Sequence, residues 1–135
     1  GGYQLLDGGI SDSIPLKYLE SVGYDRNVVI LTQPMGYEKK KNKALPLMKA
    51  AYSQYPDLLK TMARRQDVYN ETTAYIREKE RRGEVFVIRP EAALKIKRVE
   101  HDRAKIQAVY DQGRAVARKR LPALREFLRK EGKAT

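Results

Sequence analysis

Asn27-Val28-Val29-Ile30-Leu31-Thr32 is the stretch that decides the fold class. Its aliphatic residues are consecutive instead of alternating with polar ones. That is the pattern of a strand covered on both faces, as in a parallel sheet. Immediately upstream, Gly23 reads as the C-terminal cap of a short helix, with Leu16, Leu19 and Val22 at helical spacing. Pro15 fits the first position of that helix, where no amide hydrogen is needed. Ser13 or Ile14 precedes it as N-cap, and Ser13 is the better chemical choice. Further upstream, Tyr3-Gln4-Leu5-Leu6 reads as a short strand running into the tight turn Asp7-Gly8-Gly9. Strand, short helix and buried strand together make a βαβ unit.

Downstream of the deciding strand, Gln33-Pro34-Met35-Gly36-Tyr37 is a turn-rich loop leading into Glu38-Lys39-Lys40-Lys41-Asn42-Lys43. The spacing predicts a short helix from Ala44 to Tyr52 with Pro46 in its first turn, then a long helix from Pro56 to about Arg82, stopped by Gly83. Leu58, Leu59, Met62, Tyr69 and Ile76 share one face of the long helix. Val85-Phe86-Val87-Ile88 is a second buried-type strand, ended by Arg89-Pro90, and residues 91–100 read as a loop. Asp102 caps a final helix whose inner face is traced by Ile106, Val109, Tyr110, Gly113 and Val116. Pro122 is expected to kink or divide it, and Leu124, Phe127 and Leu128 continue an amphipathic tail. The sequence contains no internal repeat and no low-complexity linker.

Composition narrows the function. The 135 residues are 41% hydrophobic and 33% charged, the balance of a globular domain. The absence of cysteine excludes disulfides, thiolate metal sites and a cysteine nucleophile. No apolar run reaches the length of a membrane span and no signal peptide is visible, so the expected location is cytoplasmic with peripheral contact to a membrane. A net charge of +11 points to an anionic partner or surface: nucleic acid, acidic phospholipid or an acidic protein.

The Asp7-Gly8-Gly9 turn carries the sharpest chemical reading. A serine hydroxyl becomes a nucleophile when a base takes its proton, and a carboxylate held against it can be that base. A rigid turn at the end of a strand mounts such a carboxylate, and flanking glycines leave room for a serine loop. The same three residues are also ordinary material for a structural turn.

The wider run Asp7-Gly8-Gly9-Ile10-Ser11-Asp12-Ser13-Ile14-Pro15 resembles the neighbourhood of the catalytic aspartate in patatin-like serine acyl-hydrolases. That pattern has an apolar strand before the turn and a proline eight residues after the aspartate. Thr32-Gln33-Pro34-Met35-Gly36-Tyr37 with the lysines after it, Tyr69-Asn70-Glu71, and Val85-Phe86-Val87-Ile88-Arg89-Pro90 resemble a bacterial branch that adds a helical region after the hydrolase core. The resemblance implies an α/β fold: a partial parallel sheet of the hydrolase core followed by a mainly helical C-terminal region. Residues 1–36 would be the end of the core, and residues 37–135 the helical region with one further strand near 85–88.

The resemblance further implies lipid ester hydrolysis by a serine–aspartate dyad, with Asp7 as general base, Gly8 and Gly9 supporting its turn, and neither cofactor nor metal. The family's nucleophilic serine lies in Gly-X-Ser-X-Gly, and its glycine-rich loop supplies the oxyanion hole. Neither motif occurs here: none of Ser11, Ser13, Ser21 and Ser53 has glycine at both flanking positions, and the oxyanion loop precedes the Asp-Gly-Gly turn in the family. The chain is therefore expected to be a C-terminal fragment, inactive alone, whose parent is the enzyme. Its expected partners are a lipid or other ester substrate of the parent, an anionic membrane, the N-terminal part of the same protein, and a second copy of itself. A sheet edge from which strands are missing should retain that N-terminal part, pair with a second copy, or refold.

Other candidates read more plainly. His101 sits beside Asp102 near a helix start, as a surface or capping residue. Asp12, five residues from Asp7, suits a turn or cap. Lys39, Lys40, Lys41 and Lys43, with Arg64-Arg65, Arg81-Arg82 and Arg118-Lys119-Arg120, form solvated faces or contacts to an anionic bilayer. A competing reading is thus a basic binding module for an anionic membrane surface or nucleic acid. Nucleic acid is the less favoured, since no helix-turn-helix, zinc finger or RNA-binding aromatic signature appears. The helices from about Ala44 onward also suit an interaction region covering an active-site entrance or building an oligomer.

Overall fold

The computed structural model describes residue 2, residues 5–97 and residues 99–129. A 3-10 turn, Gly8–Ile10, precedes α1 (Leu16–Ser21), β1 (Asn27–Ile30), α2 (Leu45–Ala51), α3 (Pro56–Arg81), β2 (Val85–Ile88) and α4 (Arg103–Arg129). The fold is mixed α/β, mostly helical, with a two-stranded parallel sheet of order β1-β2. The α2–α3 segment makes the crossover that parallel pairing requires.

Both helices that lead into strands end on glycine. Gly23 (φ +94°) follows α1 and Gly83 (φ +73°) follows α3. In α1 the Gly23 N–H donates to Glu20 O and the Tyr24 N–H to Leu19 O, at 3.1 and 3.0 Å. In α3 the Gly83 N–H donates to Glu80 O and the Glu84 N–H to Lys79 O, both at 3.0 Å. These paired bonds are the Schellman motif, which satisfies the last carbonyls of a helix and turns the chain out of it.

The strands align Asn27 with Val85, Val28 with Phe86, Val29 with Val87 and Ile30 with Ile88. On one face Val29, Val85 and Val87 meet Leu16 of α1 and Ile76 of α3, and Ile76 is fully enclosed. Asn27 is buried on this face too, and its side-chain amide donates to Tyr24 O at 2.6 Å. On the other face Phe127 of α4 tilts against Phe86 with ring centroids 5.7 Å apart. The Arg120 guanidinium lies 4.6 Å from the Phe86 ring centroid.

That second face is only half covered. β2 is buried along most of its length, but Val28 and Ile30 remain 38% and 73% exposed. The expectation of a strand covered on both faces from 27 to 32 is therefore corrected. The strand ends at Ile30, with Leu31 N–H still bonded to Ile88 O at 2.8 Å. α4 reaches across Phe86 and not across β1. The total accessible surface of 10823 Å² exceeds the roughly 7,200 Å² of a compact monomer of this mass.

Several local expectations are also corrected. Leu5 and Leu6 form no strand and are exposed, while Tyr3 and Gln4 lie outside the described residues. The parallel partner of β1 is thus β2 and not an upstream strand. Pro15 occupies the N-cap of α1 and no side chain caps it; the Ser13 hydroxyl donates to Gly9 O instead, at 2.8 Å. α4 runs unbroken through Pro122. Its expected inner face is only partly covered: Val109 and Val116 are half-buried, Ile106 and Tyr110 are exposed, and no described residue of the helix is fully buried.

Asp102 caps α4 as expected, its Oδ1 accepting from the Ala104 N–H at 2.9 Å. Pro46 lies in the first turn of α2, and α3 and β2 match their expected spans to within a residue. Among the described residues no helix is long and apolar enough to cross a membrane.

Candidate functional site

The Asp7 turn is built by the residues that compose it. Asp7 has extended backbone (φ −59°, ψ 124°) and caps the 3-10 turn, its Oδ1 accepting from the Gly9 N–H at 2.8 Å. The Ile10 N–H donates to Asp7 O and the Ser11 N–H to Gly8 O, both at 3.0 Å. The Ser11 hydroxyl also donates to Gly8 O, at 3.0 Å. Asp12 accepts from the Ile14 N–H at 3.1 Å, so its carboxylate shapes the approach to α1. The side chain of Asp7 is exposed, and its Oδ2 has no partner among the described residues.

Gly8 and Gly9 differ in what they permit. A Cβ at Gly8 would meet nothing within 4 Å, whereas one at Gly9 would lie 3.3 Å from Asp7 Oδ1. Neither glycine has positive φ. A side chain at Gly9 would thus crowd the Asp7 carboxylate, whereas backbone freedom is not what the position needs.

The turn is tied to the body of the molecule by a residue that the sequence showed only as part of a basic group. Arg65 of α3 donates from Nε to Gly9 O at 3.1 Å, across 56 residues of chain. Its two Nη atoms have no acceptor among the described residues.

The lysine segment divides into one fixed residue and three solvated ones. The Lys39 N–H donates to Asn70 Oδ1 at 2.8 Å, and Asn70 Nδ2 returns a bond to Lys39 O at 3.1 Å. The Lys39 ammonium sits 4.6 Å from the centroid of Tyr69. Tyr37 meets the same ring edge-on, with centroids 6.1 Å apart. Burial first, and then the neighbouring Tyr37, pushes the Tyr69 phenol up. Lys40, Lys41 and Lys43 are exposed. Between this segment and α3 lies an open cavity of about 420 Å³, lined in part by Arg65.

A second cluster joins α1, α3 and the entry to β2. The Tyr75 hydroxyl donates to Glu20 Oε2 at 2.6 Å. Lys79 pairs with Glu84 at 2.7 Å and with Glu20 at 3.3 Å. The Glu84 carboxylate is the main cause holding the Lys79 ammonium above its ordinary range, and Lys79 in turn holds Glu84 low. The hydrogen bond to Glu20 raises the Tyr75 phenol. Tyr75, Lys79 and Glu84 are near neighbours in sequence, but Glu20 lies 55 residues from Tyr75, beyond the reach of any local pattern.

The three residues of the Arg118-Lys119-Arg120 run on α4 point in different directions. Lys119 pairs with Glu91 at 2.8 Å, Arg120 turns inward over Phe86, and Arg118 is exposed. His101 is exposed, and its N–H donates to Glu100. Among the described residues no group of three or more His, Asp or Glu side chains could hold a metal ion.

Comparison with known proteins identifies the second half of the fold. Residues 55–129 match the model of a family described as Domain of unknown function (DUF6363). The match takes in α3, β2 and α4 and leaves the Asp7 turn and the lysine segment outside it. The comparisons with curated proteins and with solved structures returned no match. On the match over more than half its length, the chain belongs to the DUF6363 family.

Proposed function

We propose that this DUF6363 chain is the C-terminal part of a patatin-like serine acyl-hydrolase, and that it contributes Asp7 to a serine–aspartate dyad. The observation that carries the reading is the Asp7 carboxylate itself. One oxygen is held by the Gly9 N–H at 2.8 Å, and the other is exposed and uncommitted. The turn beneath it is braced to α3 by Arg65. A carboxylate oriented on one oxygen and open on the other suits a general base awaiting its partner.

In this reading a serine hydroxyl from an upstream segment of the same protein is brought against Asp7 Oδ2. The proton passes to the carboxylate as the serine oxygen attacks the ester carbonyl. Asp7 then returns the proton to the departing alcohol, leaving an acyl-enzyme. Water, deprotonated by Asp7, releases the acid and restores the serine. The half-covered sheet supports the same reading. The free edge of β1, with Val28 and Ile30 exposed beside it, is where further strands of a hydrolase core would pair. The test is short-chain ester hydrolysis by the full-length protein. Loss of activity in Asp7→Asn with an unchanged fold is expected, and an unaffected rate sinks the role assigned to Asp7.

A second reading, attachment to an anionic bilayer, is favoured by the placement of arginines on α4. At 3.6 residues per turn, Arg103, Arg114, Arg118, Arg125 and Arg129 fall within roughly a quarter of the helix circumference. All five are exposed, beside the open apolar face that carries Ile106, Tyr110 and Leu128. Apolar insertion flanked by cations is how amphipathic helices hold a charged interface. Cosedimentation with vesicles of phosphatidylglycerol, absent with phosphatidylcholine, is the expected result; equal recovery with both lipids argues against it.

A further inference from the structure

The cavity of about 420 Å³ falls within the size range of small-molecule sites. One wall is a face of α3, where Met62, Arg65 and Gln66 sit at one-turn spacing; the other is formed by residues 37–40 and Asn42. The reciprocal bonds between Lys39 and Asn70 fix the second wall against the first, so the cavity is held open by the fold.

Its chemistry is lopsided. Lys39, Lys40 and Arg65 line it against the single carboxylate of Glu38. Lys39 is engaged with the Tyr69 ring, but Lys40 is exposed and has no partner among the described residues. Arg65 spends only Nε on Gly9 O, leaving both Nη atoms to a ligand. A cationic fork on one wall and an ammonium on the other match the oxygens of a phosphoryl group. Glu38 repels a bare anion but accepts from a hydroxyl, as does the amide oxygen of Gln66.

We propose that this cavity binds a phosphorylated polyol, the phosphoryl group between Arg65 and Lys40 and a hydroxyl toward Glu38. The glycerophosphate headgroup of a lipid and a soluble polyol phosphate share this chemistry. The assignment stands independently of the hydrolase reading, because it needs neither Asp7 nor a serine.

The test is calorimetric titration of the full chain with glycerol 3-phosphate and with inorganic phosphate, followed by cosedimentation with phosphatidylglycerol and phosphatidylcholine vesicles. Saturable binding of glycerol 3-phosphate is expected, tighter than that of inorganic phosphate. Lys40→Gln is expected to weaken it at least tenfold, the ordinary effect of losing a charged hydrogen-bond donor. Lys41→Gln removes the same charge one residue outside the cavity and should leave affinity unchanged. If phosphatidylglycerol vesicles bind with the same dependence on Lys40, the source is a lipid headgroup; if only the free compound binds so, it is a soluble phosphate. Absence of saturable binding in both arms overturns the proposal. So does equal weakening by Lys40→Gln and Lys41→Gln, which reduces the effect to surface charge. Equal affinity for inorganic phosphate overturns the polyol assignment.

Discussion

Replacing Gly9 by alanine perturbs the orientation of Asp7 without touching its chemistry. The new Cβ would lie 3.3 Å from Asp7 Oδ1, inside the ordinary contact distance. The carboxylate must then move by a few tenths of an ångström or rotate away, lengthening or breaking its 2.8 Å bond to the Gly9 N–H. Loss of a side-chain cap costs about 0.5–2 kcal/mol, and an exposed three-residue turn belongs at the low end. If Asp7 is the proposed general base, rotation of its carboxylate away from the Gly9 N–H should also lower the rate, since misplacing a catalytic group by about 1 Å can cost roughly 10²-fold.

Gly8→Ala is the matched control, because its Cβ meets nothing within 4 Å. It should change stability by less than about 0.5 kcal/mol and leave the rate intact. Asp7→Asn completes the set: asparagine caps as well as aspartate, so stability should hold within a few tenths of ~1 kcal/mol while activity is lost. Urea unfolding and ester hydrolysis, measured on the same full-length variants, separate the two effects. If Gly8→Ala and Gly9→Ala lower the rate alike, the orientation argument is wrong. If Asp7→Asn keeps the wild-type rate, the carboxylate is only a cap.

Three further outcomes follow from the packing and the charges. Ile76 is fully enclosed at the centre of a small core, so Ile76→Ala should cost about 2–5 kcal/mol and Ile76→Val about 0.5–1.5 kcal/mol in denaturant unfolding. Gly83 turns the chain out of α3 at φ +73°, so Gly83→Ala should cost about 1–2 kcal/mol, whereas Gly113→Ala on α4 should be neutral or stabilising by thermal melting. Hydrogen bonding first to Arg81 holds Glu78 down at about 2, and Lys79 holds Glu84 low. Groups with depressed folded pKa stabilise fully above their ordinary value of 4.5 and lose that contribution as pH falls toward about 2. Stability should therefore decline over that acid window, and Glu78→Gln should flatten the profile there.

Features carried by short range were legible in the sequence. Gly23 and Gly83 mark the ends of two helices because a left-handed residue is needed there. Asp102 marks the start of α4 because its side chain can reach two amides within its own turn. Val85-Phe86-Val87-Ile88 forms the strand its composition implies, covered by Ile76 of α3 on one face and Phe127 of α4 on the other. Pro15 misled because proline satisfies the N-cap as well as the first helical position, and the hydroxyl of Ser13 found a nearer acceptor in Gly9 O. The apolar run at β1 implied cover on both faces, but α4 crosses only β2 and leaves Val28 and Ile30 open. Arg65 read as one more surface cation because its acceptor, Gly9 O, is distant in sequence.

The sequence alone determined the glycine-capped ends of α1 and α3, the start of α4 at Asp102, the second strand and the Asp7-Gly8-Gly9 turn, because glycine and capping side chains act over a few residues. It also set the net charge of +11. Only the tertiary structure decided that β1 pairs with β2, that Arg65 braces the Asp7 turn, and that Asn70 holds the lysine segment over a cavity. Each of those contacts joins residues separated by 30 or more positions, where pairing is settled by which faces pack together and not by local conformational preference.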